Sequence, residues 1–152
     1  MKTSLPGVTI YTDGACQPNP GPGGWAAILR FADQEWVRSG GEPYTTNNRM
    51  ELTAAVEALQ ALPQAMHVIL YTDSQYLQRG VTEWLPRWLA RNWRSSSGKV
   101  ANVDLWQALN AVAGRHQIEW RWLRGHAGNA HNTRADRLAN QAMHRYKTKG
   151  GK

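Results

Sequence analysis

Two segments, "GVTIYTD" at residues 7–13 and "HVILYTD" at residues 67–73, close on the same three letters and so deliver Asp13 and Asp73 in matching positions. An internal repeat would produce this, but the flanks differ: "GACQPNPGPGG" is rich in turn residues and "SQYLQRG" reads as the start of a helix. The alternative constrains the fold far more. The first segment alternates apolar and polar and the second is almost continuously apolar. These patterns predict two strands interior to one sheet, the second buried on both faces, each with a carboxylate at its C-terminal end. Neighbouring strands would bring those carboxylates together.

The remaining segments supply the sheet and its covering. "GGWAAILRF" and "EWVRSGG" follow through Pro/Gly turns and predict an antiparallel meander with the first strand. "QIEWRWL" sets Ile118, Trp120 and Trp122 against Glu119 and Arg121, a strand with one face more polar. Leu52, Ala55, Val56, Leu59 and Leu62 recur at helical spacing, as do Leu105, Trp106, Leu109 and Val112, and a last helix carries Leu138, Ala142, Met143 and Tyr146. "SQYLQRG" and "EWLPRWLARNW" predict two shorter helices, with Pro86 in a first turn. "RSSSGK" reads as a surface loop and "KTKGGK" as a basic end that frays from about residue 147. The order is three strands, helix, strand, helices, strand, helix: an α/β chain with five strands in one mixed sheet.

A length of 152 residues supports one core and one domain, residues 1–152. The lone Cys16 excludes an intramolecular disulfide framework, and "MKTSLPGVTI" lacks the apolar run of a secretory signal, so a reducing, cytoplasmic setting is expected. No apolar segment approaches the length needed to cross a bilayer. Charge is unevenly placed. Residues 1–76 hold four Lys and Arg against seven Asp and Glu, net −3, whereas residues 77–152 hold fourteen against four, net +10. Six Trp fall in that basic half, which points to a polyanion with stackable bases. For Trp106, Trp120 and Trp122 a place in the core is the better reading.

Four acids stand near element ends: Asp13 and Asp73 after strands, Glu51 in the first turn of a helix, and Asp136 near the start of the last helix. Singly, each has an ordinary explanation. Asp after a strand is turn chemistry, and "NRME" from Asn48 and "TRAD" from Thr133 read as capping boxes. Together, four carboxylates at one sheet edge would repel one another unless a cation sat among them. An all-oxygen set selects Mg²⁺ or Mn²⁺ over Zn²⁺. Two such ions about 4 Å apart are the device for in-line displacement at phosphorus. Basic surface, aromatic residues and an acid cluster then indicate a nuclease. His126, in the Gly-flanked "LRGHAGNAHN", is a candidate for proton transfer.

"YTDGACQPNPGPGGWAAIL", "TTNNRMELTAAVEAL", "TDSQYL", "NVDLW" and "RGHAGNAHNTRADRLA" resemble, in order and spacing, the motifs of the type I ribonuclease H family in its compact bacterial form. The resemblance runs from about Val8 to about Tyr146. It implies the ribonuclease H-like fold, with the first and fourth strands parallel at the centre and helices on both faces. The implied activity is hydrolysis of the RNA strand of an RNA/DNA hybrid by a monomeric enzyme, leaving 5′-phosphate and 3′-hydroxyl ends. Asp13, Glu51, Asp73 and Asp136 would be the ligands of Mg²⁺, two ions with substrate bound and Mn²⁺ a substitute, and His126 the mobile auxiliary residue. Asn19, Asn47, Asn48 and Gln75 match positions that read the minor groove, and Thr46 and Asn102 positions that grip a DNA-strand phosphate.

The resemblance departs at Tyr44, where many relatives place Arg, and at Leu89 and Ala90, where many bacterial members carry Lys. Both changes would weaken or displace hybrid binding. In the altered protrusion Trp84 and Trp88 stand four apart, and Arg87, Arg91 and Arg94 fall on one face at helical spacing, an arrangement for following phosphates with an aromatic beside them. Trp93 reads as the small core of that protrusion. Integrases, transposases and junction resolvases share the architecture, but "TTNNRME" argues against them. A silent hybrid-binding module would lack an acid, and none is missing. "NPGPGG" lacks the Lys-Ser/Thr of a P-loop.

Overall fold

A computed structural model of the chain describes residues 5–95, 98–123 and 129–150, the last four by backbone alone. Strands β1 (Gly7–Cys16), β2 (Gly21–Phe31) and β3 (Gln34–Thr45) form the antiparallel meander. Helix α1 (Asn47–Gln60) leads to β4 (His67–Thr72), which pairs in parallel with β1, and β7 (Gln117–Trp122) pairs in parallel with β4. The sheet order is β3-β2-β1-β4-β7, so the two strands that end in Asp are neighbours in its interior.

Side-chain alternation along β2 divides the packing. Ala27 and Leu29 join Val8, Ile10, Val68 and Leu70 against Leu52 and Leu59 of α1 and Trp106 and Leu109 of α4 (Val103–Ala113). On the opposite face, a methyl group on Gly24 would strike the Ala139 backbone of α5 (Ala130–Gly150), so the helix lies directly on the sheet there. Helix α5 covers β1, β2 and β3. On the same outer face, Ile69 and Tyr71 of β4 stay half-buried and Tyr71 stacks on Tyr11 at 5.0 Å. The burial of β4 on both faces that its apolar sequence suggests is therefore realised on one face only. β7 behaves as its pattern predicts, with Ile118, Trp120 and Trp122 half-buried and Glu119 and Arg121 exposed. The core Trp residues divide accordingly: Trp106 is fully buried, Trp120 and Trp122 are not.

The stretch after β4 is more broken than its sequence suggests. Helix α2 (Gln75–Arg79) passes into a π turn at Gly80–Trp84 and then α3 (Leu85–Ala90), with Pro86 in the first turn as expected. "RSSSGK", expected to be a loop, contributes a short ladder of β5 (Arg94–Ser95) and β6 (Gly98–Lys99). Arg94 therefore lies on a strand and does not continue the helical face of Arg87 and Arg91. At the C-terminus α5 stays helical to Gly150, beyond the point near residue 147 where the composition predicts fraying. No helix among the described residues is long and apolar enough to cross a membrane.

Gly80 explains the π turn. A Cβ there would lie 1.9 Å from Cη2 of the buried Trp106 ring, so backbone and ring occupy the space a side chain would need. The Gly80→Ala variant is expected to lose roughly 3 kcal/mol by overpacking, read from urea unfolding. A loss below about 1 kcal/mol would mean that the turn relaxes around the methyl group.

Candidate active site

Asp13 and Asp73 are set by strand pairing. The parallel register places Tyr11 opposite Tyr71, and each carboxylate follows two residues later, Asp13 within β1 and Asp73 just past the end of β4. Glu51 comes from α1. The helix is capped by Thr46, whose Oγ1 accepts from the Arg49 N–H, rather than by Asn48, so Glu51 lies beyond the first turn and is no capping-box acid. Its carboxyl is buried instead, because α1 meets β1 at Gly14, where a Cβ would stand 2.6 Å from the Glu51 nitrogen. Gly14 is one residue that sequence reasoning missed; its only signal was a glycine directly after the first Asp.

Asp136 likewise belongs to the interior of its helix. Asn129 provides the side-chain acceptor at the start of α5, for the Asn132 N–H at 2.8 Å, while Thr133 donates back to the Asn129 carbonyl. This leaves Asp136 without a capping role and near enough to Asp13 to help raise its carboxyl. His126 lies outside the described residues.

Carboxylate oxygens of Asp13, Glu51 and Asp73 all lie within 4.8 Å of one another. Asp13 Oδ1 accepts from the Gly14 N–H at 2.9 Å, but Asp13 Oδ2 and Glu51 Oε1 are buried and receive no hydrogen bond among the described residues. Burial first, and then the charge of Asp73, push the Asp13 carboxyl up to about 8. Burial and then Asp13 push Glu51 well above the carboxylate range. Buried acceptors without donors, held against like charge, are unfavourable for the protein alone. They suit a hard divalent cation, which takes oxygen ligands of this kind, and the site therefore fits Mg²⁺ or Mn²⁺.

Around the acids the expected substrate residues fall into two groups. Asn48 and Gln75 are exposed at the starts of α1 and α2. Asn19 accepts from the Asn47 N–H at 3.1 Å, which ties the Pro-rich turn to the same helix end. Thr46 and Asn102 are bridged by Arg49, which gives its N–H to Thr46 and Nη1 to Asn102 Oδ1 at 3.2 Å while pairing with Asp104 at 2.7 Å. Asn102, left-handed at φ 58°, donates Nδ2 to the Tyr76 hydroxyl at 3.0 Å, which also accepts from Trp106 Nε1. Arg49 and Tyr76 were not singled out from the sequence, because hydrogen bonds between residues so far apart leave no local pattern.

On the protrusion Arg87 and Arg91 are exposed. Trp84, Trp88 and Trp93 are half-buried against the main core, with Trp84 and Trp88 rings 6.0 Å apart and Trp88 edge-on to Trp106 at 5.4 Å. Trp93 has the packing role its sequence suggests. Trp84 and Trp88 share that role and keep some ring surface open.

The sequence matches the RNase H family over residues 6–144. It is 58% identical to a ribonuclease H of Halorhodospira halophila over 137 residues, covering 90% of this chain and 92% of the relative. It is 59% identical to a ribonuclease H of Hahella chejuensis over 141 residues, covering 92% and 93%. Among solved structures, LC9-RNase H1, described as a type 1 RNase H with the type 2 active-site motif, aligns with a TM-score of 0.86 at 35% identity over 95% of this chain and 75% of that one. LC11-RNase H1, solved in complex with RNA/DNA hybrid, shares the fold with a TM-score of 0.70 at 21% identity over 91% and 97%.

The electrostatics give a signed pH dependence. Unfolded Asp13 releases its proton near the ordinary value of 3.8, whereas folded Asp13 retains it to about 8. Between these values the folded state binds more protons, so the metal-free protein should lose stability as pH rises through that window. Asp13→Asn should flatten the slope and raise the melting temperature at pH 8. Thermal melts in EDTA check this, and parallel pH profiles for the two proteins would show that the cluster carries no such strain.

Proposed function

This chain belongs to the ribonuclease H family and is a metal-dependent endoribonuclease of RNA/DNA hybrids, and we propose that Asp13, Glu51, Asp73 and Asp136 hold two Mg²⁺ ions at its reaction centre. The observation that carries this assignment is the convergence of Asp13, Glu51 and Asp73, with one buried oxygen on Asp13 and one on Glu51 that receive no hydrogen bond among the described residues. Bound there, the ions supply an activated water and stabilise the leaving oxygen, and the products carry 5′-phosphate and 3′-hydroxyl ends.

The chain's own residues do the positioning. Asp13 is held within β1 and Asp73 directly follows β4, so the pairing of the two strands sets where both acids emerge. Glu51 is pressed toward them by the contact at Gly14. His126, just before the Asn129 cap of α5, moves a proton toward the departing oxygen. Asn19, Asn47, Asn48 and Gln75 read the minor groove, where the 2′-hydroxyls of the RNA strand are displayed. Thr46 and Asn102 grip a phosphate of the DNA strand, while Arg87, Arg91, Trp84 and Trp88 hold the hybrid farther along. The lone Cys16 fits a reducing cytoplasm, in which the protein works as a monomer.

Purified protein should cut end-labelled RNA/DNA hybrid in Mg²⁺, lose activity in EDTA, and leave RNA and DNA duplexes intact. Asp73→Asn should reduce turnover by at least about a thousandfold, the scale of losing a centre worth several kcal/mol of transition-state stabilisation. Near wild-type turnover in that variant would remove Asp73 from the centre. For the protrusion, Arg87→Ala with Arg91→Ala should flatten the slope of log affinity against log salt by about 0.9 per lost phosphate contact and raise KM at constant kcat. An unchanged slope would place the hybrid elsewhere.

A further inference from the structure

Between α2, the π turn, α3 and β5 lies a cavity of about 330 Å³ lined by Tyr76, Trp84, Arg87, Trp88, Arg91 and Arg94. Although Arg94 leaves the helical face, the turn after α3 brings it to line this one space together with Arg87 and Arg91. None of the three forms a side-chain ion pair or hydrogen bond among the described residues. The acids nearest in sequence are engaged elsewhere: Glu83 with Arg79 at 3.5 Å and Asp104 with Arg49. Three uncompensated cations around one cavity call for a multiply charged anion, and guanidinium matches phosphate oxygens better than ammonium does.

The other wall is aromatic and held rigid. Tyr76 accepts hydrogen bonds from Trp106 and Asn102, Trp84 lies edge-on to Tyr76 at 5.5 Å, and Trp88 is wedged between Trp84, Trp93 and Trp106. A preset aromatic surface gains stacking energy with any nucleobase at little ordering cost. The volume sits at the lower end of small-molecule sites, enough for one base with its phosphates and too small for a duplex.

We propose that this cavity is a binding site for a free nucleoside polyphosphate, with the base against the Trp84 and Trp88 wall and the phosphates among Arg87, Arg91 and Arg94. The site goes beyond hybrid cleavage and does not depend on it. Where the protrusion also carries the hybrid backbone, an occupant would neutralise the same cations and act as a competitive brake.

Calorimetric and Trp-fluorescence titrations of the wild-type protein, in EDTA and without hybrid, use ATP, inorganic tripolyphosphate and adenosine as separate ligands. ATP should bind at least tenfold more tightly than either fragment and quench Trp emission. Arg91→Ala should weaken ATP at least tenfold, while Arg145→Ala, an exposed cation on α5, should leave it unchanged. Equal binding of ATP and tripolyphosphate, equal loss in both variants, or no binding at millimolar ATP would overturn the site. ATP that binds as expected but leaves KM for hybrid unaltered would uphold the site and discard the hybrid's path over the protrusion.

Discussion

The parallel pairing of β1 with β4 forces like charges together, and the rest of the molecule answers to that constraint. Two strands in register deliver Asp13 and Asp73 to one edge, and the third acid arrives only because Gly14 lets α1 touch the strand. Such a cluster opposes folding of the metal-free chain, through desolvation and repulsion alike. What offsets it is the apolar layer beneath, where Ile10, Leu70, Leu52, Leu59 and Trp106 are fully buried, each side chain contributing roughly 2 kcal/mol. Strain stored at a reactive centre and stability supplied by its scaffold are two sides of one arrangement.

Arg49 joins the centre to the substrate side. It stands two residues before Glu51, gives its backbone N–H to the cap Thr46, and reaches with its side chain to Asn102 and Asp104 at the start of α4. Asn102 passes the connection to Tyr76, and Tyr76 to Trp106, Trp84 and the protrusion. The contacts are direct and continuous, so the protrusion is referenced to the helix that carries Glu51. Charge-assisted bonds at Arg49 lend that reference stiffness.

Periodicity made the sheet, its antiparallel meander and the main helices legible, since most of these elements bury apolar residues in a regular pattern, although β3 stays largely exposed. Asp13, Glu51 and Asp73, which the structure brings together, were legible as part of one set of acids near element ends. Their local settings were not. Glu51 and Asp136 looked like capping acids because Asn48 and Thr133 stand at the right spacing, yet Thr46 and Asn129 cap those helices, and the choice between rival caps rests on packing. The π turn at Gly80–Trp84 was invisible for the same reason: it accommodates Trp106, a residue 26 positions from Gly80. Arg94 joined Arg87 and Arg91 in one cavity by a chain reversal, although helical spacing had suggested a shared face for a different cause.

The uneven charge of the two halves follows from the chemistry at the centre. A polyanion approaching Asp13, Glu51 and Asp73 meets like charge, so attraction has to come from elsewhere on the surface, and residues 77–152 supply it with a net charge of +10. The raised carboxyl of Asp13 adds a further condition. At neutral pH a proton occupies oxygens that a divalent ion needs, and binding the ion releases it. Proton, metal and substrate are thus linked through the same few oxygens. The metal-free cluster keeps its proton and so lowers its own repulsion, and a divalent ion held by the same oxygens would lower it in turn for a polyanionic substrate.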